Sequence, residues 1–338
     1  MRAIWRGPKR SPKFALCYFH LNMPELPEVE TVARGLQSAV AGRRILTVTL
    51  RKSDFIDDPA ALERELPGRQ IERIERFGKF MLLRLAAAIA QSGPELPPGE
   101  DSQKIEPTAE ALLVHLGMTG HLAPHFPDQP LTKHTHVTFE LDDGRELRYT
   151  DARRFGRMAY LAGAALAAEL ERFGADPLLV TKEDFAQRIH ASRSRIKTLL
   201  LDQAVLRGVG NIYADEALWK AEIHPAMIGA RLAPAKLETL RKELRKILLK
   251  AIELRGSSIS DFVDAGGIPG DYQQHHKVYG REGKKCFRCG AKIKRIIVAG
   301  RSSHFCPHCQ PASRSLSRSR HHSRKKTKRN RSRATSKR

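Results

Sequence analysis

The chain has 338 residues, enough for two domains with separate cores, and 41% of them are apolar. No apolar run approaches the ~18 residues that a membrane-spanning helix needs. The formal net charge of +23 is uneven: residues 1–22 hold five Arg/Lys and no acid, residues 311–338 hold twelve and no acid, and +6 is left for residues 23–310. The two ends therefore suit polyanions without regard to sequence, while the body is only mildly basic.

Residues 1–22 are basic, then briefly apolar over 14–21. That run is short for a signal peptide, and no small-residue cleavage site follows it. An overextended gene start is the first reading and a short targeting arm the second. The segment Met23-Pro24-Glu25-Leu26-Pro27-Glu28-Val29-Glu30, taken as internal, is a proline-stiffened entry to a helix. Taken as a beginning it changes meaning, because removal of Met23 leaves Pro24 with a free secondary amine beside Glu25. An α-amino group titrates at about 8 and a lysine at about 10.4, so about a tenth of such an amine is neutral at pH 7. A neutral secondary amine attacks an aldehyde-like carbon and gives an iminium that is cationic without a further proton.

The spacing of Val29, Val32, Ala33, Leu36 and Val40 predicts an amphipathic helix over 29–40. Strand-like alternation follows over 45–50 and 70–85, and a Pro-, Gly- and acid-rich loop over 91–107. Strands resume over 111–115, 135–141 and 146–149, the last two joined by the hairpin signal Asp142-Asp143-Gly144. This β-rich region with one leading helix is expected to end near residue 165. Helical periodicity then takes over, at 164–173, 182–190, 195–202, 214–220 and 233–254, broken by Pro177, Gly208, Gly210 and Pro225. Within it, Leu206-Arg207-Gly208-Val209-Gly210-Asn211-Ile212-Tyr213 is a glycine turn that opens a helix. Backbone N–H groups there suit a phosphate, although a plain corner between helices has the same spacing. Residues 311–338 are low-complexity Ser, Arg and Lys, a composition that does not fold alone.

Four of the five cysteines form Cys286-x2-Cys289-x16-Cys306-x2-Cys309. Two such knuckles close a tetrahedral thiolate site for zinc, with no ligand position left open, so the metal is structural. Arg288, Lys292, Lys294, Arg295, Arg301 and His304 crowd the same finger, as in a β-hairpin laid on nucleic acid; a ribbon that merely staples the end of the fold is the competing view.

MPELPEVET, RFGKF, HLGMTG, DARRFG, GVGNIYADEAL and the paired cysteines together resemble the bacterial formamidopyrimidine-DNA glycosylases of the formamidopyrimidine/endonuclease VIII family, from residue 23 to about residue 310. The resemblance implies an α+β fold: an N-terminal β-sandwich domain with a leading helix over 23–165, and a C-terminal helix-two-turn-helix domain over 166–256 with a four-cysteine zinc finger. A lesion loop and that finger occupy 257–310, between an extension over 1–22 and a basic tail over 311–338. It implies that Pro24 is the nucleophile and Glu25 its acid–base partner, that Lys79 binds the phosphate at the damaged nucleotide, and that Arg301 reaches the DNA near the lesion from the finger. Met118 becomes a wedge that fills the space left by an extruded base, with Arg153 facing the orphaned partner and Phe155 stacking. His134 contacts a phosphate, Lys197 lies at the lesion strand, and Arg193 and Asn211 join the DNA contacts. Ala152 replaces the usual proline of the DPRRFG run.

The implied activity is removal of oxidised purines, 8-oxoguanine and formamidopyrimidines, from double-stranded DNA. Strand cleavage follows by β,δ-elimination through a Schiff base, with one structural zinc, in a monomer of the bacterial cytoplasm with no membrane partner. An endonuclease VIII-like enzyme for oxidised pyrimidines is the alternative within the fold, disfavoured by PELPEVET in place of a PEGPE-type start. A non-catalytic DNA-binding protein is the alternative if residues 1–22 are retained, since Pro24 then has no free amine.

Overall fold

The structure, a computed structural model, describes residues 23–86, 109–259 and 262–312. The expectations for residues 1–22, for the 91–107 loop and for residues 313–338 of the tail lie outside the described residues.

Helix α1 (Leu26–Val40) starts three residues before the apolar spacing predicts. Pro27 sits in its first turn, where a missing N–H costs nothing, and Glu28 Oε2 reaches back to accept the Glu25 backbone N–H at 2.9 Å. Two four-stranded antiparallel sheets follow. One has the order β1 (Ile45–Leu50), β6 (Thr135–Leu141), β7 (Glu146–Asp151), β5 (Gly120–His125). The other runs β2 (Gln70–Phe77), β3 (Phe80–Ala86), β4 (Glu110–His115), β8 (Arg157–Ala162). A short helix, α2 (Pro59–Glu65), capped by the Asp58 carboxylate, links β1 to β2.

Because successive strand residues face opposite ways, the apolar run of β3 serves two cores. Met81 and Leu83 join Leu112, Val114, Val137, Phe139, Leu147 and Tyr149 between the sheets, where Val29, Val32 and Leu36 of α1 also pack. Phe80 and Leu82 face the other way, with Leu113 and Ala159, onto Leu166 and Leu170 of α3 (Gly163–Glu171). The β-sandwich with a leading helix is thus the architecture of this region.

The chain divides into two units, the first running to Asp176 and including Leu248–Gln274, the second comprising Pro177–Ile247 and the chain from His275 onward. Residues 257–274, grouped with the finger on sequence grounds, belong with the first unit. The second unit contains α4 (Lys182–His190), α5 (Ile196–Leu201), α6 (Asn211–Lys220), most of α7 (Pro234–Glu253) and the hairpin β9 (Lys294–Val298) and β10 (Arg301–Phe305). Thr181 caps α4 through the Asp184 N–H. Trp219 of α6 packs with Val278, Ile293, Cys286 and Cys306 in a small core under the cysteine knuckles.

Candidate active site and nucleic-acid interface

In the first unit, Pro24 and Glu25 are buried at the head of α1. The Glu28 carboxylate holds this corner: one oxygen takes the Glu25 N–H, and the other takes the Ser257 N–H at 2.7 Å. Gly256 allows the approach, since a Cβ there would stand 2.7 Å from Glu28 Oε1, and its φ is +79°. Lys79 lies in the tight turn between β2 and β3, after Gly78 (φ 65°) and between the paired Phe77 and Phe80. Both phenyl rings edge onto Phe173 at 5.4 Å, which anchors the turn. Arg76, three residues earlier, bonds Glu30 in the second turn of α1 and Asp176, each at 2.8 Å. The hairpin bearing Lys79 is therefore tied to the helix that begins at Pro24 and Glu25.

Met118, Arg153 and Phe155 are assembled by a residue that the sequence reading did not single out. Asp151 is fully buried and sits at the end of β7. One carboxylate oxygen accepts from the Thr119 hydroxyl and, at 3.2 Å, from the Arg153 N–H; the other accepts the Gly156 N–H at 2.9 Å and the Tyr149 hydroxyl at 3.2 Å. The turn carrying Met118 is thereby stapled to the turn carrying Arg153 and Phe155. Gly117 (φ 67°) permits the contact, because its Cβ would fall 2.4 Å from the Gly156 nitrogen. The Arg153 guanidinium lies 4.7 Å over the Phe155 ring. The Asp151 backbone N–H bonds the His134 carbonyl at 3.0 Å, which brings His134 to the same edge.

In the second unit, the Gly208-Val209-Gly210 turn is held by Gln203, whose Oε1 accepts the Gly208 N–H at 2.6 Å and whose Nε2 donates to the Val209 carbonyl at 2.9 Å. Asn211 opens α6 from this turn, and among the described residues neither polar atom of its buried amide has a hydrogen-bond partner. Arg193 is exposed just ahead of α5.

Lys197 departs from its expected place. It is wholly buried, its Nζ 2.6 Å from Asp215 Oδ1 and 2.7 Å from the Ser302 carbonyl, so its ammonium is engaged within the protein rather than presented to a lesion strand. Asp215 Oδ2 accepts the His304 N–H at 2.8 Å. The neighbouring Glu216 takes the N–H groups of Lys277, Val278 and Tyr279 at 2.9 Å. Burial pushes the Glu216 carboxyl above its usual range against the pull of those three bonds. Burial also brings His276 down to about 4, with the neighbouring His275 adding to the effect. Arg301 begins β10, one residue before the carbonyl that Lys197 holds.

The four cysteine sulfurs lie within 4.8 Å of one another. Zinc–sulfur bonds of about 2.3 Å in a tetrahedron set sulfurs about 3.8 Å apart, so the cluster fits the ion. Burial raises Cys286, but the Arg288 and Cys289 N–H groups and the neighbouring Cys306 thiol outweigh it and bring the thiol down to about 6. Cys309 is pushed up to about 12, by burial and then by Cys289 and Cys306, the mutual opposition of thiols that a dication relieves. Cys286, Cys289, Cys306 and Cys309 are the ligands of one structural zinc, and the Arg288 N–H on Cys286 and the Cys309 N–H on Cys306, both at 3.4 Å, orient the sulfurs.

A sandwich with a buried helix head, a helical unit with a glycine turn and a four-cysteine hairpin define a class of DNA-lesion-processing protein, and comparison with known proteins agrees. The formamidopyrimidine-DNA glycosylase N-terminal domain matches residues 23–158, its H2TH domain matches 173–263, and a zinc finger found in FPG and IleRS matches 283–312. The formamidopyrimidine-DNA glycosylase of Herpetosiphon aurantiacus is 41% identical over 293 residues, 85% of this chain and all of that protein. That of Symbiobacterium thermophilum is 41% identical over 295 residues, 86% of this chain and 90% of its own length. Lactococcus lactis Fpg in complex with abasic-site DNA has a TM-score of 0.73 at 34% identity, covering 85% of this chain and 100% of that one. MutM with DNA containing carbocyclic 8-oxo-G has a TM-score of 0.73 at 33% identity, covering 86% and 100%. The chain belongs to the formamidopyrimidine-DNA glycosylase family.

Proposed function

We propose that this protein removes oxidised purines, 8-oxoguanine and formamidopyrimidines, from double-stranded DNA and cuts the strand at the resulting site. The observation that carries the reading is the Pro24–Glu25 pair at the head of α1, with Glu28 fixing the backbone between them and the loop from Ser257. Once Met23 and the residues before it are gone, the Pro24 nitrogen lone pair attacks C1′ of the damaged nucleotide. The C1′–base bond breaks, and the base departs with the bonding electrons and a proton. Glu25, protonated, assists sugar ring opening; ionised, it stabilises the cationic Schiff base. Loss of a C2′ proton expels the 3′ phosphate, and a second elimination expels the 5′ phosphate, so a one-nucleotide gap remains.

The other residues position DNA. Lys79 and His134 hold phosphates of the lesion strand, and Met118, Arg153 and Phe155 fill and read the space that base extrusion leaves. The unpartnered amide of Asn211 at the start of a ten-residue helix suits a phosphate oxygen, and Arg193 is exposed ahead of α5. Arg301 approaches the lesion from the finger. The protein works as a monomer in the bacterial cytoplasm, at the nucleoid, where its substrate is; among the described residues no helix is long and apolar enough to cross a membrane.

Borohydride trapping tests the reading. Protein beginning at Pro24 is expected to become covalently attached to an 8-oxoguanine duplex, and Glu25→Gln to lose about 10²-fold or more in base removal while still trapping on DNA that already lacks the base. Base release without trapping means attack by water instead. Equal activity in a protein that retains residues 1–22 removes Pro24 from the mechanism, and DNA binding without either reaction identifies a non-catalytic binder. A duplex with an oxidised pyrimidine belongs in the same experiment, since Lactococcus lactis Fpg has been solved with such DNA.

A further inference from the structure

The outer edge of β10 carries a second role for a residue that sequence alone assigns to DNA. In the β9–β10 ribbon Arg301 pairs with Val298 across Ala299-Gly300, whose φ values of 50° and 73° are both positive, as a type I′ turn requires. In that register Ser302 and His304 direct their backbone groups away from β9. Lys197 Nζ donates to the Ser302 carbonyl at 2.7 Å, and Asp215 Oδ2 accepts the His304 N–H at 2.8 Å. Asp215 Oδ2 also stands 3.2 Å from His304 Nδ1. Side chains from α5 and α6 thus stand in for a third strand, and 2.6 Å separates them as a fully buried ion pair.

Burying two charges is a poor way to gain stability, because apolar side chains of similar volume commonly serve as well. Such a pair does impose one arrangement on the groups it bonds. We propose that Lys197 and Asp215 are positioning residues that lock β10 onto the helical turn and so aim Arg301 at the lesion strand. Lys197 then acts on DNA through the finger, without touching it. This rests on the reading of Arg301 given above.

The test uses the full chain with zinc bound and reads the ratio of affinities for an abasic-analogue duplex and an undamaged one, which does not depend on Pro24 chemistry. The variants are Arg301→Gln, the apolar pair Lys197→Met with Asp215→Leu, and all three changes together. The apolar pair is expected to keep one zinc and a cooperative unfolding transition, its midpoint lowered by the unpaired Ser302 carbonyl and His304 N–H, and to lose discrimination by about 10²-fold, the scale of a small misplacement of a contacting group. Adding Arg301→Gln should then cost little more. Should the apolar pair not fold, Asp215→Asn keeps an acceptor for the His304 N–H and for Lys197 but removes the charge that pairs the buried ammonium, and a partial loss of discrimination with zinc intact is expected. Full discrimination in either variant overturns the proposal, as does a loss that multiplies with that of Arg301→Gln. Unchanged discrimination in Arg301→Gln alone overturns the reading of Arg301 itself, and this proposal with it.

Discussion

Two buried aspartates, one in each unit, do the same architectural work by different physics. Asp151 draws together the turns of Met118 and Arg153 entirely through neutral donors, two backbone N–H groups and two hydroxyls. Asp215 draws β10 of the finger onto α5 and α6, and one of its partners is a buried ammonium. A carboxylate with several neutral donors keeps part of its hydration shell in protein form, and losing one donor leaves the rest. A buried ion pair has no such redundancy, since removing either member strands the other charge. The first unit's interface should therefore degrade in steps, and the second unit's should fail abruptly.

Removing the metal should break the comparison most severely, because metal binding and folding are coupled in four-cysteine fingers of this kind and Asp215 holds a strand of this one. Cys306→Ser is expected to lose zinc and DNA affinity together, since apparent binding energies of about 10–16 kcal/mol make metal binding and finger folding one equilibrium. Metal analysis beside a binding titration checks this. Stoichiometric zinc in the variant would contradict the four-cysteine assignment.

Next in size is the contrast between the aspartates themselves. Asp215→Ala strands Lys197 and should cost about 3–5 kcal/mol. Asp151→Asn keeps one acceptor oxygen and should cost about 1–3 kcal/mol, the penalty for a few buried donors left poorly paired. Urea unfolding of both variants gives the order, and equal costs would mean that the two sites are held by the same forces.

Sequence was informative where the signal is local, and blind where it is not. The strand periods of β1 and β6 and the helix α4 lie in short windows, and the predicted spans coincide with the observed ones. Strand β5 carries no legible strand signal because Pro124 and two histidines interrupt its alternation, a composition that an edge strand tolerates, and β5 is an edge strand. The cysteine spacing carried the zinc site outright. Asp151 and Asp215 stood inside recognisable motifs, but the partners that define them lie 32 and 89 residues away, at Thr119 and His304. Lys197 shows the same blindness: a lysine on a helix looks like a surface charge until Asp215 is folded against it.

A smaller effect tests the corner beside Asp215, where Glu216 and His276 have opposite signs. His276 titrates at about 4 in the folded protein and at about 6.5 in an unfolded chain, so the unfolded state binds more protons between these values. Its stabilising contribution is full above pH 6.5 and is lost as pH falls towards 4, by about 2 kcal/mol between pH 7.5 and 5. Glu216, raised by burial, acts the other way: acid protonates it more readily in the folded state, which favours folding as pH falls. Urea unfolding of His276→Leu should show a shallower loss on acidification than the wild type, and Glu216→Gln a steeper one. Parallel pH profiles for all three would remove both groups from the balance.

The smallest expected effect separates the turn of Arg153 from the turn before Arg301 at the level of backbone strain. Each holds a non-glycine residue with positive φ: Arg154 at 53°, between Arg153 and Phe155, and Ala299 at 50°, two residues before Arg301. Left-handed backbone costs an ordinary residue about 1–2 kcal/mol, and asparagine less. Ala299 is exposed, so Ala299→Asn meets no neighbour and should stabilise the second unit by about 1 kcal/mol. Arg154→Asn relieves the same strain but gives up the 3.2 Å contact of Arg154 with Asp54, an exposed pair worth about 0.2–1 kcal/mol, so its net gain should be near zero. Thermal unfolding resolves the two. The lesion discrimination of Ala299→Asn then decides whether strain in the finger turn is incidental. If stability rises and discrimination holds, Lys197 and Asp215 suffice to aim Arg301. If stability rises and discrimination falls, the strained turn itself sets the direction of Arg301, as strain held at a functional site can.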